Sequence, residues 1–426
     1  MKLFQPKIFT ALKGYKPKDY LSDIVAGVIV AIIALPLSIA LAIASNASPE
    51  TGLFTAIIAG FFAAFLGGSR VNITGPTAAF ATIVAGIILT QGMDGLFIAT
   101  IMAGILLILM GLLRVGSLIK YIPHTITVGF TAGIAVTLAI GQLKDFLGLT
   151  YPAGTVAIET TEKVALIIEH FSTFNPWAFA VGVLGLVVLI VWPKIFKKIP
   201  ASLIAVIVGA LVCIIPIVSV NTIGSLYTIS SALPKFRLPE ITGERILALL
   251  PNAFTIALLA GIESLLSCVV SDRMIDDKHN SNTELIALGT SNILVGFFGG
   301  IPATGAIART AANVKNGGKS PISGMVHAVV LLLVLVVLMP LASYIPMPII
   351  ASILMIVAYN MSEWRQFVSI IKSKKWNDIL VVTVTFLLTV IFDLVKAIAV
   401  GLAIHYLIVL VKFIIAKQKA KKQIKQ

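Results

Sequence analysis

Apolar segments of membrane-spanning length recur along this chain from one end to the other, and they constrain its fold more than any other feature. Clear examples are 23–44, 97–113, 326–340 and 379–393. A bilayer crossing needs ~20 mostly apolar residues, and inside lipid every backbone polar group must be hydrogen-bonded within the protein. Because these segments leave no room for a sizeable soluble domain, the sequence predicts an all-α integral membrane protein.

The composition supports this prediction. Hydrophobic residues make up 58% of the 426 positions and charged residues only 12%, against about 25% charged residues in soluble domains. Residues 1–20 are polar and rich in lysine. The apolar run that follows is longer than a signal-peptide core and lacks a small-residue cleavage site, so we expect it to be retained as the first span.

The net charge of +14 could indicate nucleic-acid binding, but the placement of the basic residues favours membrane topology. A division into fourteen crossings with both termini cytoplasmic puts 25 of the 32 Lys and Arg residues in inner segments, against 6 in outer connections. The outer six are Lys144, Lys163, Lys235, Arg237, Arg245 and Lys396. This asymmetry is the positive-inside pattern. The sequence therefore predicts a cell-membrane protein in contact with lipid, with no nucleic-acid partner.

The predicted spans form two groups of seven on either side of a long polar connection. They are 24–45, 51–67, 76–91, 95–113, 122–142, 176–193, 200–219, 246–271, 283–299, 305–315, 321–340, 344–361, 377–393 and 395–413. The corresponding regions are a cytoplasmic arm (1–20), a first repeat (21–219), an outer connection (220–245), a second repeat (246–413) and a basic cytoplasmic tail (414–426).

Spans three and ten are abnormal, because Gly and Pro interrupt the segments 69–76 and 299–305 that lead into them. Each is predicted to be a half-length helix preceded by a short extended segment. The two leads also resemble each other: Gly60-Phe61-Phe62 and Gly67-Gly68 precede the first, and Gly296-Phe297-Phe298 and Gly299-Gly300 precede the second. An inverted repeat with interrupted helices at matching positions is typical of secondary transporters. The alternative is that two glycine-rich loops are alike by coincidence.

Enzyme and metal chemistry find no support in the sequence. The two cysteines lie in or beside apolar segments, and the five histidines lack ligand spacing. The segment 313–320 ends like a phosphate-binding loop but has Asn313 where the first glycine belongs. We therefore predict no catalytic residue, no metal site and no cofactor beyond a coupling ion.

The interrupted helices predict an anion site. A helix that begins inside the membrane presents unpaired backbone N–H groups and the positive end of its dipole. The predicted substrate-binding residues are Thr77, Ala78, Ala79, Gly305, Ala306, Ile307, Ala308 and Arg309. The small side chains would let a ligand approach the backbone, and Arg309 would add a charge with forked donors suited to an oxyanion. The alternative is that the small residues serve helix packing and Arg309 extends to the inner surface.

Glu263 is an acidic residue well inside a predicted span. A carboxylate there is costly, so it should be paired, ion-bound or protonated. Ser267 follows four residues later on the same helical face, and the pair is predicted to bind the coupling ion, H⁺ or Na⁺. The alternative is a structural ion pair between Glu263 and Arg309. Asp23, Asp94 and Asp378 open their spans and are predicted helix caps.

Several motifs carry a family resemblance across nearly the whole chain. They are Asp23-Ile24-Val25-Ala26-Gly27 with Ala34-Leu35-Pro36-Leu37-Ser38, Gly67-Gly68-Ser69-Arg70 to Gly75-Pro76-Thr77, Ile122-Pro123-His124 to Gly129-Phe130, Glu263-Ser264-Leu265-Leu266-Ser267, Lys278-His279-Asn280-Ser281-Asn282-Thr283-Glu284, and Gly300-Ile301-Pro302 to Arg309-Thr310. In these motifs the chain resembles the SulP anion permease family.

The resemblance implies a seven-plus-seven inverted repeat in which a core domain, spans 1–4 and 8–11, carries the anion past a gate domain, usually within a homodimer. By position it also implies that 77–79 and 305–309 hold the anion and that Glu263 and Ser267 hold the coupling ion. Glu263 and Arg309 make the chain similar to proton-linked or exchanging members. Members usually continue into a STAS domain, whereas this chain stops soon after its last predicted span, so it is either truncated or a naturally short form.

The sequence therefore predicts a secondary anion transporter, a symporter or an exchanger, that works by alternating access. Bicarbonate, sulfate and small dicarboxylates are all candidate substrates. One alternative is a nucleobase or xanthine-type permease of the same architecture. Another is an anion channel or a voltage-responsive motor.

Overall fold

The structure is a computed structural model, and it describes residues 4–117, 123–152, 155, 157, 159–196, 199–392 and 394–423. Within these ranges the chain forms seventeen α-helices and one two-stranded sheet. Ile122 of the family motif and residues 424–426 of the predicted tail lie outside the described residues.

The elements follow the two predicted halves. The first half contains α1 (Ile8–Ala11), α2 (Pro17–Ala44), α3 (Pro49–Leu66), β1 (Thr74–Gly75), α4 (Ala81–Leu112), α5 (His124–Leu147), α6 (Thr160–Glu169), α7 (Pro176–Ile195), α8 (Ala201–Val212) and α9 (Ile223–Leu226). The second half contains α10 (Gly243–Ile275), α11 (Ser281–Phe297), β2 (Thr304–Gly305), α12 (Ile307–Lys315), α13 (Ile322–Leu338), α14 (Met347–Met361), α15 (Trp364–Lys372), α16 (Trp376–Ile391) and α17 (Leu394–Gln423). Short 3₁₀ turns occur at Ala78–Phe80, Phe171–Thr173 and Met339–Tyr344.

All fourteen predicted spans correspond to a helix or to part of one. Spans three and four are the two parts of α4, which breaks at Gly92 (φ 70°, ψ −176°), a conformation that only glycine adopts readily. Eight helical stretches among the described residues are long and apolar enough to span a membrane alone, one of them being the whole of Ala78–Leu112. Of the remaining spans, four are shorter helices, namely α8, α11, α12 and α16, and the last is α17, whose apolar part is the stretch Ala397–Lys412.

The first span differs from its prediction at its start. Helix α2 begins at Pro17 rather than at residue 24, because proline fits the first position of a helix and Asp19 lies in the first turn. Asp23 is therefore inside the helix, and its prediction as a cap is wrong. Its buried carboxylate instead accepts hydrogen bonds from the backbone N–H groups of Lys319 and Ser320.

Helix packing follows an internal two-fold relation between the halves. Helix α3 packs on α13, and their counterparts in the other half, α11 and the second part of α4, pack on each other in the same way. Helix α2 packs on α13 as α10 packs on α4, and α5 packs on α16 as α14 packs on α7. The elements that the family resemblance assigns to the core are α2, α3, α4 and α10 to α13, and those assigned to the gate are α5, α7, α8, α14, α16 and α17.

The predicted inner and outer connections lie at opposite ends of the bundle. At one end the N-terminal arm contacts loops of the core, with Lys7 paired to Asp277 at 3.0 Å and Lys319 to Asp19 at 2.7 Å. At the other end Thr222 forms a β-bridge with Pro346, close to the segments 144–175 and 220–245. This separation agrees with the predicted topology; which end faces the cytoplasm stays a prediction.

Candidate functional site

Two short strands meet where the predicted breaks occur. Strand β1 pairs antiparallel with β2, Thr74 opposite Gly305 and Gly75 opposite Thr304, and all four residues are buried. The backbone N–H of Ala306 extends the pairing by donating to the carbonyl of Ile73 at 2.8 Å. A helix begins just after each strand, through the 3₁₀ turn at Ala78 on one side and at Ile307 on the other. The structure therefore places the first turns of two interrupted helices beside one another.

Polar side chains from neighbouring helices satisfy the irregular backbone before β2. Thr55 of α3 accepts a hydrogen bond from the N–H of Ile301 at 2.8 Å, and Asn292 of α11 bonds both the N–H and the carbonyl of Ala303 at 2.9 and 3.0 Å. The hydroxyl of Thr304 donates to the carbonyl of Ala260 in α10 at 2.7 Å. Buried backbone at membrane depth requires such partners. Their presence explains how a non-helical segment persists inside the bundle.

A buried carboxylate, Glu284 of α11, holds the loop before β1. One carboxylate oxygen accepts hydrogen bonds from the N–H groups of Gly68 and Ser69 at 2.8 and 3.2 Å. The other accepts from the side-chain amide of Asn72 at 2.7 Å and the hydroxyl of Ser264 at 3.3 Å. In the sequence, Glu284 stands out only as part of a family motif. Its position as the second residue of predicted span nine was the available signal, but an acid there also suits an ordinary helix start.

Ser267, predicted to bind the coupling ion, belongs to this same network. Its hydroxyl lies 2.7 Å from Asn72 Oδ1 and 3.0 Å from Thr310 Oγ1. Thr310 of α12 in turn accepts a hydrogen bond from the N–H of Ile73 at 3.0 Å. Ser267 is fully buried. The structure therefore places it behind the strand pair, where it supports the loop before β1.

The predicted anion-binding residues surround the two helix starts. Ala78, Ala79 and Gly305 are buried, Thr77 and Ala306 are half-buried, and Ile307 and Ala308 are exposed. Thr77 is extended (φ −132°, ψ 159°), and so is Ala306 (φ −103°, ψ 108°). The first N–H groups of a helix have no partner within the helix. Two sets of such donors, flanked by small side chains, thus lie next to the strand pair.

Arg309 joins the two interrupted segments. Its guanidinium is buried, and Nη2 donates a hydrogen bond to the carbonyl of Pro76, which precedes the other helix start. A Cβ on Gly75 would lie 2.5 Å from Nη1, so the absence of a side chain at Gly75 makes room for the guanidinium. Nη1 is buried and has no hydrogen-bond partner among the described residues. One arm of the guanidinium therefore links the two interrupted segments, and the other has no hydrogen-bond partner among the described residues.

Glu263 of α10 contacts the residue before the first helix start, Thr77. The Thr77 hydroxyl donates to Glu263 Oε2 at 3.0 Å, and Glu263 is half-buried. Glu263 and Arg309 are near enough to interact electrostatically, but within the described part of the chain they form no ion pair at the 4.0 Å limit. The structural ion pair that the sequence left open is therefore absent from this conformation. The partner of Glu263 comes from the other repeat.

The sequence did not single out His327, a buried histidine of α13. Neither ring nitrogen has a hydrogen-bond partner among the described residues, and the imidazole lies within electrostatic range of Arg309. His327 has no second histidine at a ligand-like spacing, so its position in an apolar span did not mark it as functional. A search of the described residues finds no group of three or more His, Cys, Asp or Glu side chains that could hold a metal ion.

Comparison with known proteins gives one consistent result. The profile of the sulfate permease family matches residues 20–385. The Bacillus subtilis protein YvdB is 44% identical over 400 residues, which cover 92% of this chain and 74% of that protein. The bicarbonate transporter BicA of a Picosynechococcus species is 32% identical, over 90% of this chain and 69% of BicA. The solved transmembrane domain of a cyanobacterial BicA aligns with a TM-score of 0.82 at 30% identity, over 90% of this chain and 98% of that domain.

Proposed function

The chain belongs to the sulfate permease family, and from this premise we propose that it is a secondary active transporter of a small oxyanion or carboxylate. It is a multi-pass membrane anion transporter and not an enzyme, with the seven-plus-seven inverted-repeat fold. The candidate substrates are sulfate, bicarbonate and small dicarboxylates. Their shared chemistry is a compact anion whose oxygens accept several hydrogen bonds.

The meeting of the two helix starts across the β1–β2 pair supports this proposal most directly. The N–H groups after Thr77 and Ala306 and the unpartnered Nη1 of Arg309 are hydrogen-bond donors that belong to these two helix starts. Donors of this kind stabilise an anion without a large side-chain reorganisation. A neutral nucleobase would pair with acceptors as well as donors, and Glu263, which is already bonded to Thr77, is the acceptor beside these groups. Because two helix starts and an arginine supply donors in excess, the geometry favours an anion over the nucleobase alternative.

Coupling is proposed to act through the hydroxyl of Thr77. In the present conformation this hydroxyl donates a hydrogen bond to Glu263. A proton or a sodium ion on Glu263 would compete with that hydrogen bond and free the hydroxyl for the anion. Binding of the coupling ion and binding of the anion would then favour each other, as coupled transport requires. Alternating access follows when the core moves past the gate with both ligands bound.

Uptake into proteoliposomes tests the proposed function. Radiolabelled sulfate, bicarbonate, succinate and uracil are offered with and without an inward sodium gradient, at several pH values. We expect saturable uptake of at least one anion that responds to one of the gradients. Saturable uptake of uracil alone would support the nucleobase alternative, and currents far above carrier turnover would support an anion channel.

Replacing Glu263 by Gln tests the coupling role. The amide keeps the size of the side chain and resembles the protonated acid, but it cannot ionise. We expect Glu263→Gln to retain anion binding and to lose the response of uptake to the imposed gradient. The matched control is Glu240→Gln, because the Glu240 carboxylate is 81% exposed and lies outside the predicted spans. A variant that still follows the gradient fully would contradict the coupling role.

We further propose a homodimer in the cell membrane with both termini cytoplasmic. Large apolar side chains are exposed along α7, α13, α16 and α17, and lipid or a second copy would cover them. Light scattering of the purified protein in detergent tests the assembly, with twice the chain mass of 45.2 kDa expected. Protease access to a tag at each terminus in sealed vesicles tests the orientation.

A further inference from the structure

A cavity of about 240 Å³ lies at the end of the bundle opposite the N-terminal arm. Its walls come from the ends of α2 and α5, from α6 and α9, and from the start of α14. Three residues of α4 that shortly follow the predicted anion-binding residues, Ala81, Thr82 and Ala85, also line it. The cavity thus lies between the outer connections and the proposed binding site, where core and gate elements meet.

Two lysines line this cavity. Lys163 of α6 is half-buried, and its ammonium lies beside Gly141 of α5, 3.9 Å from where a Cβ would be. Burial lowers the pKa of Lys163 below its usual value. The ammonium of Lys144 lies 4.9 Å from the centre of the Tyr151 ring. Among the described residues, neither lysine has an acidic partner within 4.0 Å.

The acidic groups nearby do not cancel these charges. Asp145 is the acidic residue of the cavity wall, and it interacts electrostatically with Lys144. Glu162 is close enough to Lys163 for an electrostatic interaction, but it does not line the cavity. Two ammonium groups against one carboxylate leave a net positive lining. The hydroxyls of Tyr151 and Tyr227 add hydrogen-bond donors.

The positions of these lysines oppose the overall distribution of charge. In the predicted topology only 6 of the 32 basic residues lie in outer connections, and two of those six line this one cavity. Lys163 is half-buried without an ion pair among the described residues, and Lys144 is exposed at the cavity wall; the positive-inside pattern does not require either position. A function in the cavity explains the arrangement better than chance.

We propose that this cavity is a second anion-binding site, in which Lys163 and Lys144 capture a small inorganic anion before it reaches the helix starts. This inference rests on the proposed transport function and deepens it. A positively charged recess with low-dielectric walls raises the local concentration of anions and hence their rate of entry. The turnover step would be unaffected.

A labelling experiment tests the charge of the cavity without requiring transport. Leu166, which lines the cavity, is replaced by Cys in a Cys213→Ser background, while the fully buried Cys268 is kept. The reactivity of Leu166→Cys towards an anionic and a cationic methanethiosulfonate reagent is compared. One unit charge ~7 Å away in water alters the local concentration of a monovalent ion about threefold. We expect Lys163→Gln to lower the anionic-to-cationic rate ratio by at least that factor.

A flux experiment then tests whether the cavity lies on the transport route. For uptake from this face at low ionic strength, Lys163→Gln should raise the KM about threefold for bicarbonate and, with the doubled charge, about ninefold for sulfate. The effect should shrink in high salt, and kcat should not change. Lys235→Gln, an exposed outer lysine away from the cavity, should change neither rate ratio nor KM.

Three outcomes separate the hypotheses. An unchanged rate ratio in Lys163→Gln overturns the anion site itself, whatever the protein transports. A lowered ratio with an unchanged KM overturns the capture step. A lowered ratio in a protein that carries none of the anions offered supports the second site and overturns the proposed function.

Discussion

Arg309 combines a structural contact with a proposed ligand-binding role in one side chain. One guanidinium nitrogen donates a hydrogen bond to the carbonyl of Pro76, and the other is buried without a partner among the described residues. A buried donor left unpaired costs about 1–3 kcal/mol. A bound anion would remove that penalty, so the unpaired nitrogen is the best single indication of where a substrate oxygen belongs.

Replacing Arg309 should therefore weaken anion binding strongly. A charge-assisted hydrogen bond contributes about 1.5–3 kcal/mol, which corresponds to a loss of about tenfold or more in affinity. We expect Arg309→Ala to raise the KM for anion uptake by at least that factor and Arg309→Lys to raise it less, because lysine keeps the charge without the fork. Uptake kinetics in proteoliposomes measure both. Unchanged KM in Arg309→Ala would remove the residue from the site.

Glu284 should matter for stability more than for substrate affinity. Its carboxylate accepts hydrogen bonds from two backbone N–H groups, from the amide of Asn72 and from the hydroxyl of Ser264. In Glu284→Ala the two backbone N–H groups would lose this acceptor, whereas the Asn72 amide would keep its hydrogen bond to Ser264 at 3.2 Å. At about 1–3 kcal/mol per unpaired group, the variant should be several kcal/mol less stable. Thermal unfolding in detergent measures the drop in Tm. Glu240→Ala, at an exposed site, should leave Tm nearly unchanged; equal Tm values for the two variants would contradict this role.

At the scale of single residues, the sequence identifies charges that are costly to bury but not the groups that contact them. Glu263 and Arg309 can be found because each interrupts an apolar segment. Helical spacing suggested Ser267 as the partner of Glu263, yet Thr77, nearly two hundred positions away in the chain, contacts the carboxylate. Asn72, Asn292 and Thr55 are ordinary polar residues in the sequence. Their function depends on which backbone groups the fold leaves unpaired, and spacing along one helix does not contain that information.

At the scale of the elements, the strand pair is what turns two interrupted helices into one site. A two-residue strand pair has little stability of its own. Here it is buried, and the residues around it are supported by α3, α10 and α11 through side-chain hydrogen bonds. The breaks themselves can be predicted, because Gly and Pro interrupt apolar runs. The register, with Thr74 opposite Gly305, cannot, because it depends on how the two repeats dock.

The contact between Gly75 and Arg309 offers a test of this docking. A methyl group at Gly75 would meet Nη1 at 2.5 Å and displace the guanidinium from Pro76. We expect Gly75→Ala to raise the KM for the anion several-fold. It should add little in an Arg309→Ala background, since residues in contact give non-additive effects. Gly243→Ala, where an added Cβ meets nothing within 4 Å, is the control. Additive KM changes would show that Gly75 acts independently of Arg309.

At the scale of the whole molecule, the inverted repeat follows from the odd number of crossings between matching spans. Seven crossings from span three to span ten require the two halves to be antiparallel, and the symmetric packing of α3 with α13 and of α4 with α11 agrees with that relation. The cavity lined by Lys144 and Lys163 was not predicted. It is formed by segments from several helices and loops, and their proximity follows from packing between core and gate rather than from any local pattern.

Alternating access requires the core to move relative to the gate, so a covalent link between them should stop transport. Ala44 at the end of α2 and Met347 at the start of α14 both line the cavity, one on each domain. In a Cys213→Ser background, cross-linking Ala44→Cys to Met347→Cys with a reducible bifunctional thiol reagent should abolish anion uptake, and reduction should restore it.

The control pair is Thr150→Cys with Thr173→Cys. These exposed residues are joined by a 3.0 Å hydrogen bond within the first-repeat gate region, and their link should leave uptake intact. If the linked Ala44–Met347 protein transports at the rate of the reduced form, the two domains do not move apart at this interface during the cycle.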